Sequence, residues 1–263
     1  MGTRLLPVMK IGFVGAGNMA AAMARGWASA ERRPDRMLFC DAGSGRAAAL
    51  AAEVGGEAVD SLAELGRRSD AVVLAVKPGS LEIVAEQLDR EARAVLSVLA
   101  ATPLKTLRER FPGVPVLRAM PTVATEIHGG VICHTPVPAD EVESGEPMLA
   151  LVGELGRLVE VSDELMDAAT AIVCTPAYLA VVVQNIAEAG AEAGLDPELS
   201  YELVVETFAG TIELLRRYDP VTVRTAVASP GGSTEAGLQA LADAGAADAF
   251  RRAVEASLRK MRG

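Results

Sequence analysis

The chain has 263 residues, 50% of them hydrophobic and 23% charged, a globular composition with room for one large or two modest domains. Its formal net charge of −10 argues against nucleic acid or an anionic membrane surface as a partner held by charge. Aromatic residues are only 3%, so the core must come from Ala, Val and Leu; Cys40, Cys133 and Cys174 are too few and too far apart for a disulfide framework or a zinc site, and no metal is expected.

Residues 1–8 are too short for a signal peptide and are expected to carry no function. No apolar run approaches the length that spans a bilayer, so the reading is a cytoplasmic protein without a membrane partner. Lys10-Ile11-Gly12-Phe13-Val14 then reads as a buried strand, followed by Gly15-Ala16-Gly17-Asn18-Met19-Ala20 and a helical apolar pattern at Met23, Trp27 and Ala30. Strand, glycine turn and helix with G-x-G-x-x-A spacing form a dinucleotide-binding fingerprint. Gly15 permits the sharp turn, Gly17 lets a pyrophosphate approach the backbone, and Ala20 lets the helix pack on its strand. Free N–H groups from Gly15 to Met19 then face the phosphates.

The second strand runs from Arg36 to Asp41. An acid at its end, about twenty residues past the glycine turn, hydrogen-bonds the adenosine ribose and favours NAD. Ser44 and Arg46 lie just downstream and are placed to hold a 2′-phosphate instead. The reading leans to NADH from Asp41 and keeps NADPH open; Asp41 also has an alternative as a helix cap or turn residue. Helices are predicted at 47–54, 61–65, 81–88, 102–110 and 141–151. Strands are predicted at 71–76, 94–98, 114–120, 131–134 (an edge strand) and 159–161. The run 71–76 is continuously apolar, as in a central parallel strand, and ends at Val76, Lys77 and Pro78. Alternating strands and helices predict an α/β fold: a Rossmann-type doubly wound sheet over 9–162, with ligands at the strand C-termini.

From Asp163 the period is helical throughout, which predicts an all-α domain over 163–263. One helix spans 163–173. A long one spans 176–194, apolar nearly all round and so expected to be buried on most sides. Asp196 and Pro197 start the next helix, which runs to Tyr218, and short helices follow at 221–227, 235–244 and 247–261. Between them lies the glycine turn Ser229-Pro230-Gly231-Gly232-Ser233-Thr234. A glycine turn opening a helix offers N–H donors to an anion, and two hydroxyls join them; the alternative is a plain helix cap. A helix this apolar calls for a partner, and a homodimer through the C-terminal helices is expected, with a higher oligomer of dimers as the alternative. His128 follows the Met120-Pro121 loop and is placed either to line a site or to stand in solvent.

These motifs together resemble the pyrroline-5-carboxylate reductases, which reduce a cyclic imino acid to proline. The resemblance rests on the first glycine turn, Ala75-Val76-Lys77-Pro78, Arg118-Ala119-Met120-Pro121, Pro176-Ala177-Tyr178, Ala187-Glu188-Ala189-Gly190 and, most specifically, the Ser229–Thr234 turn followed by Ala236-Gly237-Leu238. It implies a small imino-acid substrate, with backbone amides of Gly232 and Ser233 on its carboxylate and the Thr234 hydroxyl near the ring nitrogen. It also implies cofactor contacts at Gly15, Ala16, Gly17, Asn18, Met19, Val76, Lys77, Pro78, Met120 and Pro121, with substrate contacts at Ser229, Thr175, Thr122 and Gln184.

The chain departs from the family pattern where substrate is expected. The family reads Met-Pro-Asn-Thr-Pro; this chain reads Met120-Pro121-Thr122-Val123-Ala124. A Ser-Gly-Ser-Gly run before the long helix is replaced by Val173-Cys174-Thr175, and a glutamate on that helix by Gln184. Three readings follow: reduction of pyrroline-5-carboxylate, reduction of a different cyclic imino acid, or dinucleotide binding without turnover. A β-hydroxyacid dehydrogenase would need a lysine on the long helix, and 176–194 has none.

Overall fold

The structure is a computed structural model that describes residues 9–88 and 90–262. The reading of residues 1–8 therefore lies outside the described residues. The chain forms two compact units, one running to Cys174 and taking in its last residues from Met261, the other Thr175–Lys260.

The first unit is α/β. Its strands are β1 (Lys10–Val14), β2 (Arg36–Cys40), β3 (Glu57–Ala58), β4 (Ala71–Leu74), β5 (Val95–Ser97), β6 (Val116–Met120), β7 (Val131–His134) and β8 (Arg157–Glu160). They form one sheet in the order β3-β2-β1-β4-β5-β6-β7-β8. Every pairing is parallel except β6 with β7, where Ala119 opposes His134. The helices are α1 (Asn18–Ser29), α2 (Arg46–Val54), α3 (Leu62–Arg68), α4 (Leu81–Leu88), α5 (Leu104–Arg110), α6 (Val142–Gly153) and α7 (Met166–Val173).

The two-residue period of a strand explains the continuous apolar runs. In β4, Ala71 and Val73 enter one core layer while Val72 and Leu74 enter the other. Few aromatics are needed because three of them meet in one place. Phe13 stacks on Phe39 at 5.0 Å between ring centroids, and Trp27 tilts against Phe13 at 5.7 Å. The Trp27 indole N–H donates to the Leu151 carbonyl at 2.8 Å, so α1 is tied to α6 without leaving a buried donor unpaired.

Several expectations need correction. The strand 131–134 is not an edge: β8 pairs with it in parallel and takes the edge instead. The short, exposed β3 escaped detection because two residues carry no period. The helix expected at 163–173 begins as a 3-10 turn, Asp163–Leu165, before α7. α7 packs on β6 and β7, and the first compact unit runs to Cys174.

The second unit is all helical: α8 (Pro176–Glu192), α9 (Pro197–Leu215), α10 (Pro220–Val227), α11 (Ser233–Asp243) and α12 (Ala246–Arg262). Asp196 caps α9, its carboxylate accepting from the N–H groups of Glu198 and Leu199, with Pro197 at the first helical position. Asp219 does the same for α10. The expectation that α8 is buried on most sides fails within one chain: only Ala187 is buried, and Val181 is 57% exposed. The membrane-length expectation also needs correction, because the stretch Asp163–Glu192 is long and apolar enough by composition to cross a membrane. The turn at Cys174 and Thr175 split it into two shorter runs when read as sequence.

Ala101, in the loop after β5, has φ +56. A side chain in that left-handed region costs about 1–2 kcal/mol. Ala101→Gly is expected to stabilise the protein by about 0.5–1 kcal/mol net of glycine's entropy. Thermal unfolding followed by circular dichroism should show a Tm higher by about 1–3 °C; a lower Tm would mean that the loop holds Ala101 without strain.

Candidate functional site

The sheet changes direction between β1 and β4, since the chain steps from β1 outward to β2 and β3 and then returns across β1 to β4. Loops leaving these strands part there, and the resulting crevice is where a doubly wound sheet binds its ligand. Gly15 sits at its rim with φ +93, its N–H donating to the Cys40 carbonyl at 2.8 Å. A Cβ on Gly15 would meet the Ala75 carbonyl oxygen at 2.7 Å, so the position admits only glycine. Gly17 is different: a Cβ there would meet nothing within 4 Å. It caps α1 with extended backbone, has no side-chain partner, and no acid occupies the first turn. The first turn of α1 thus starts beside open space, at the positive end of a helix with no side-chain cap, which fits a pyrophosphate.

Beside this turn lies a cleft of about 610 Å³ whose lining includes Val14, Cys40, Asp41, Val76, Ile83 and Gln87. Its apolar walls suit a flat aromatic base. Asp41 stands at its edge, but its carboxylate is engaged by its own loop. Oδ1 accepts from the N–H groups of Gly43 and Ser44 at 2.9 and 3.1 Å; Oδ2 accepts from the Ser44 hydroxyl at 2.6 Å and the Ala47 N–H at 3.0 Å. The Ser44 hydroxyl, then these N–H groups, hold the Asp41 carboxyl below the usual carboxylate range, against the opposing effect of burial. Four donors therefore engage the Asp41 carboxylate within its own loop. The cap or turn alternative is the one observed. Ser44 is likewise occupied, whereas the exposed Arg46 guanidinium has no ion-pair partner among the described residues.

Val76 borders the cleft, and Lys77 and Pro78 follow it on the surface, Pro78 opening a 3-10 turn. Met120 and Pro121 are buried at the end of β6. Thr122 is 7% exposed, and its hydroxyl has no partner among the described residues. His128 is not free to line a site. Its Nδ1 pairs with the Glu154 carbonyl at 2.9 Å and its Nε2 with the Ser29 hydroxyl at 3.0 Å, so both nitrogens brace the loop.

In the second unit Gln184 is exposed on α8, its Nε2 donating to Glu188 Oε1 at 2.8 Å. It borders an apolar groove of about 630 Å³ between α8 and α9, with Leu179, Val183, Tyr201 and Val205. Thr175 precedes α8, its carbonyl accepting from the Tyr178 N–H at 2.8 Å. The Ser229–Thr234 turn is exposed and does not line that groove. The Gly232 N–H closes the turn on the Ser229 carbonyl at 2.9 Å, and Gly232 caps α11 without side-chain help. The hydroxyls of Ser229, Ser233 and Thr234 point to no partner among the described residues. One residue went unnoticed in sequence: Glu235 reaches back to the Gly231 N–H at 2.7 Å. Its place, three residues after the cap, was the available signal.

Three comparisons bear on this geometry. Residues 163–263 match the family model described as pyrroline-5-carboxylate reductase dimerisation, and residues 10–101 match the one described as NADP oxidoreductase coenzyme F420-dependent. A pyrroline-5-carboxylate reductase of Thermus thermophilus is 33% identical over 257 residues, covering 96% of this chain and 97% of that one; one from Synechocystis is 30% identical over 261 residues, with 96% and 97% covered. The crystal structure of Plasmodium falciparum pyrroline carboxylate reductase with NADP bound superposes with a TM-score of 0.87 at 25% identity, covering 97% of each chain.

The two turn glycines give opposite expectations. Gly17→Val is expected to weaken NADPH binding about 100-fold, because its side chain fills the space before the helix N-terminus, with Tm nearly unchanged. Gly15→Ala is expected to lower Tm instead. Fluorescence titration and thermal melts separate the two; tight NADPH binding by Gly17→Val would remove the pyrophosphate from this turn.

Proposed function

Because the chain belongs to the pyrroline-5-carboxylate reductase family, we propose that it reduces the C=N bond of a cyclic imino acid with a reduced nicotinamide dinucleotide, the substrate being pyrroline-5-carboxylate and the product proline. The observation that carries this reading is the exposed Ser229–Thr234 turn, where α11 starts over Gly232 without a side-chain cap, on a chain whose other glycine turn suits a dinucleotide.

The dinucleotide supplies the hydride, and the chain supplies binding, orientation and exclusion of water. Gly15 to Met19 hold the pyrophosphate, Val76 to Pro78 and Met120-Pro121 line the nicotinamide half, and Thr122 and Thr175 border the substrate. The N–H groups of Ser233 and Thr234, with the Ser229 hydroxyl, hold its carboxylate, while the Gly232 N–H closes the turn on the Ser229 carbonyl. An iminium carbon is already electrophilic, so no strong acid is needed. The iminium N–H donates to the Thr234 hydroxyl oxygen, and the C=N electron pair becomes the nitrogen lone pair as the carbon gains the hydride. Residues 9–162 carry the nucleotide and 163–263 the substrate turn and the dimer contact. The exposed apolar side chains of Leu179, Val181, Leu199 and Tyr201 support a homodimer through α8 and α9. A match to a dimerisation family over this region supports it too.

The cofactor is NADPH on this reading. The lean to NADH assumed a free Asp41 carboxylate, and that carboxylate is occupied; the Arg46 fork remains to meet a 2′-phosphate. Arg46→Ala should raise KM for NADPH about tenfold and leave KM for NADH within about twofold. Equal effects on both would remove Arg46 from the phosphate site.

One observation favours a second substrate. Gln184 has no charge with which to favour a protonated imine, so a different cyclic imino acid is the competing reading. A panel of cyclic imines assayed by NADPH oxidation decides between them. Pyrroline-5-carboxylate is expected to turn over, and Gln184→Glu to raise kcat/KM for it by about tenfold. Turnover of another imine alone would replace the substrate, and no turnover of any would leave a dinucleotide-binding protein.

A further inference from the structure

Arg118 is the only charged side chain in the described residues buried to 1% exposure. It lies on β6, two residues before Met120, and alternation along the strand turns it to the face opposite Leu117 and Ala119. Its guanidinium donates from Nη1 to Asp163 Oδ1 at 2.8 Å and from Nη2 to Asp167 Oδ1 at 3.1 Å, while Nε has no partner among the described residues. Asp163 has a second duty. Its Oδ2 accepts from the Leu104 N–H at 2.9 Å, capping α5, whose own cap position is Pro103 and offers no side chain for the task. Asp167 lies in the first turn of α7, where a negative charge is favoured.

One cation thus joins three elements: the strand that ends in Met120 and Pro121, the start of α5, and the start of α7, after which the chain passes through Cys174 to Thr175. A charge buried this deeply is poorly explained by stability, since taking it out of water offsets most of what its partners return, and an apolar side chain of similar size is often as stable. The arrangement does fix direction, because a planar fork on two carboxylates holds its elements in one register.

We propose that Arg118 is a positioning residue for hydride transfer: clamped on Asp163 and Asp167, it holds the β6 end and α7 as one rigid piece. The proposal rests on the reductase reading above. It needs no contact between Arg118 and either ligand; loosening the clamp lowers turnover and leaves nucleotide affinity alone, because the phosphate turn lies at the other end of the β1–β4–β5–β6 series.

The test uses the full-length protein with Arg118→Met, Arg118→Lys and Asp167→Asn, the last keeping shape while removing one charge. NADPH affinity is read by energy transfer from Trp27, the single tryptophan. Turnover is measured with pyrroline-5-carboxylate, using NADPH and its 4-deuterated form. The expected result is a kcat lower by about tenfold in Arg118→Met and less in Asp167→Asn, with partial rescue in Arg118→Lys. NADPH affinity should stay within about twofold and the deuterium effect on kcat should rise, as hydride transfer becomes slower than the other steps. A merely structural role would lower Tm and the active fraction together, with the deuterium effect unmoved, and that outcome overturns the inference. Unchanged kcat in folded Asp167→Asn and Arg118→Lys also overturns it, whether or not Arg118→Met folds. If the wild-type protein reduces no cyclic imine, the reductase reading itself fails, and the inference with it.

Discussion

A helix that starts without a side-chain cap leaves backbone N–H groups directed at solvent, and at two glycines this chain does so in nearly the same way. Gly17 has φ −79 and ψ −176; Gly232 has φ −85 and ψ 166. Each follows a tight turn through a glycine of positive φ, Gly15 in one case and Gly231 in the other. Ser61, Asp196 and Asp219 cap their helices locally and Asp163 caps α5 from a distance, while α6, α7 and α8 also start without a side-chain cap but not over a glycine. Bare N-termini over glycine forgo roughly 0.5–2 kcal/mol of capping each, and such a loss is retained where an anion makes up for it. Everything else in the account depends on these two open turns having ligands.

The surrounding structure serves to keep the first turn rigid. Gly15 hangs from the Cys40 carbonyl, β1 is held between β2 and β4, and the Phe13–Phe39–Trp27 cluster packs beneath. The second turn has less support within its own unit. Most side chains of α8 to α12 are exposed, and α8 buries only Ala187. Helices with this much exposed apolar surface are stable when another surface covers them, which is the physical content of the proposed dimer.

Much of this was legible in sequence, for identifiable reasons. The run 71–76 announced a strand buried on both faces, and Asp196-Pro197 marked a helix start because cap and proline signals are local. The family resemblance held because its motifs fall on backbone turns that tolerate few residues. What was not legible depends on contacts far apart in the chain. Asp41 looked like a ribose ligand because its spacing is right, yet the loop carrying Gly43 and Gly45 folds four donors onto it. His128 looked available until Ser29 and Glu154 took both its nitrogens. Arg118 read as the first residue of a family motif, and its ion pairs were not legible because Asp163 and Asp167 lie 45 and 49 residues away. The edge position of 131–134 was misread because the strand expected at 159–161 carries no sign of which neighbour it pairs with.

The account's central claim is that the two bare glycine turns act on one substrate, the early one through the coenzyme and the late one directly. A crystal structure of the assembled protein with NADP and proline tests this most directly. The expected result is the proline carboxylate on the N–H groups of Ser233 and Thr234, with its ring within about 3.5 Å of the nicotinamide. Proline bound elsewhere, with Thr234 far from the nicotinamide in every subunit, would contradict it.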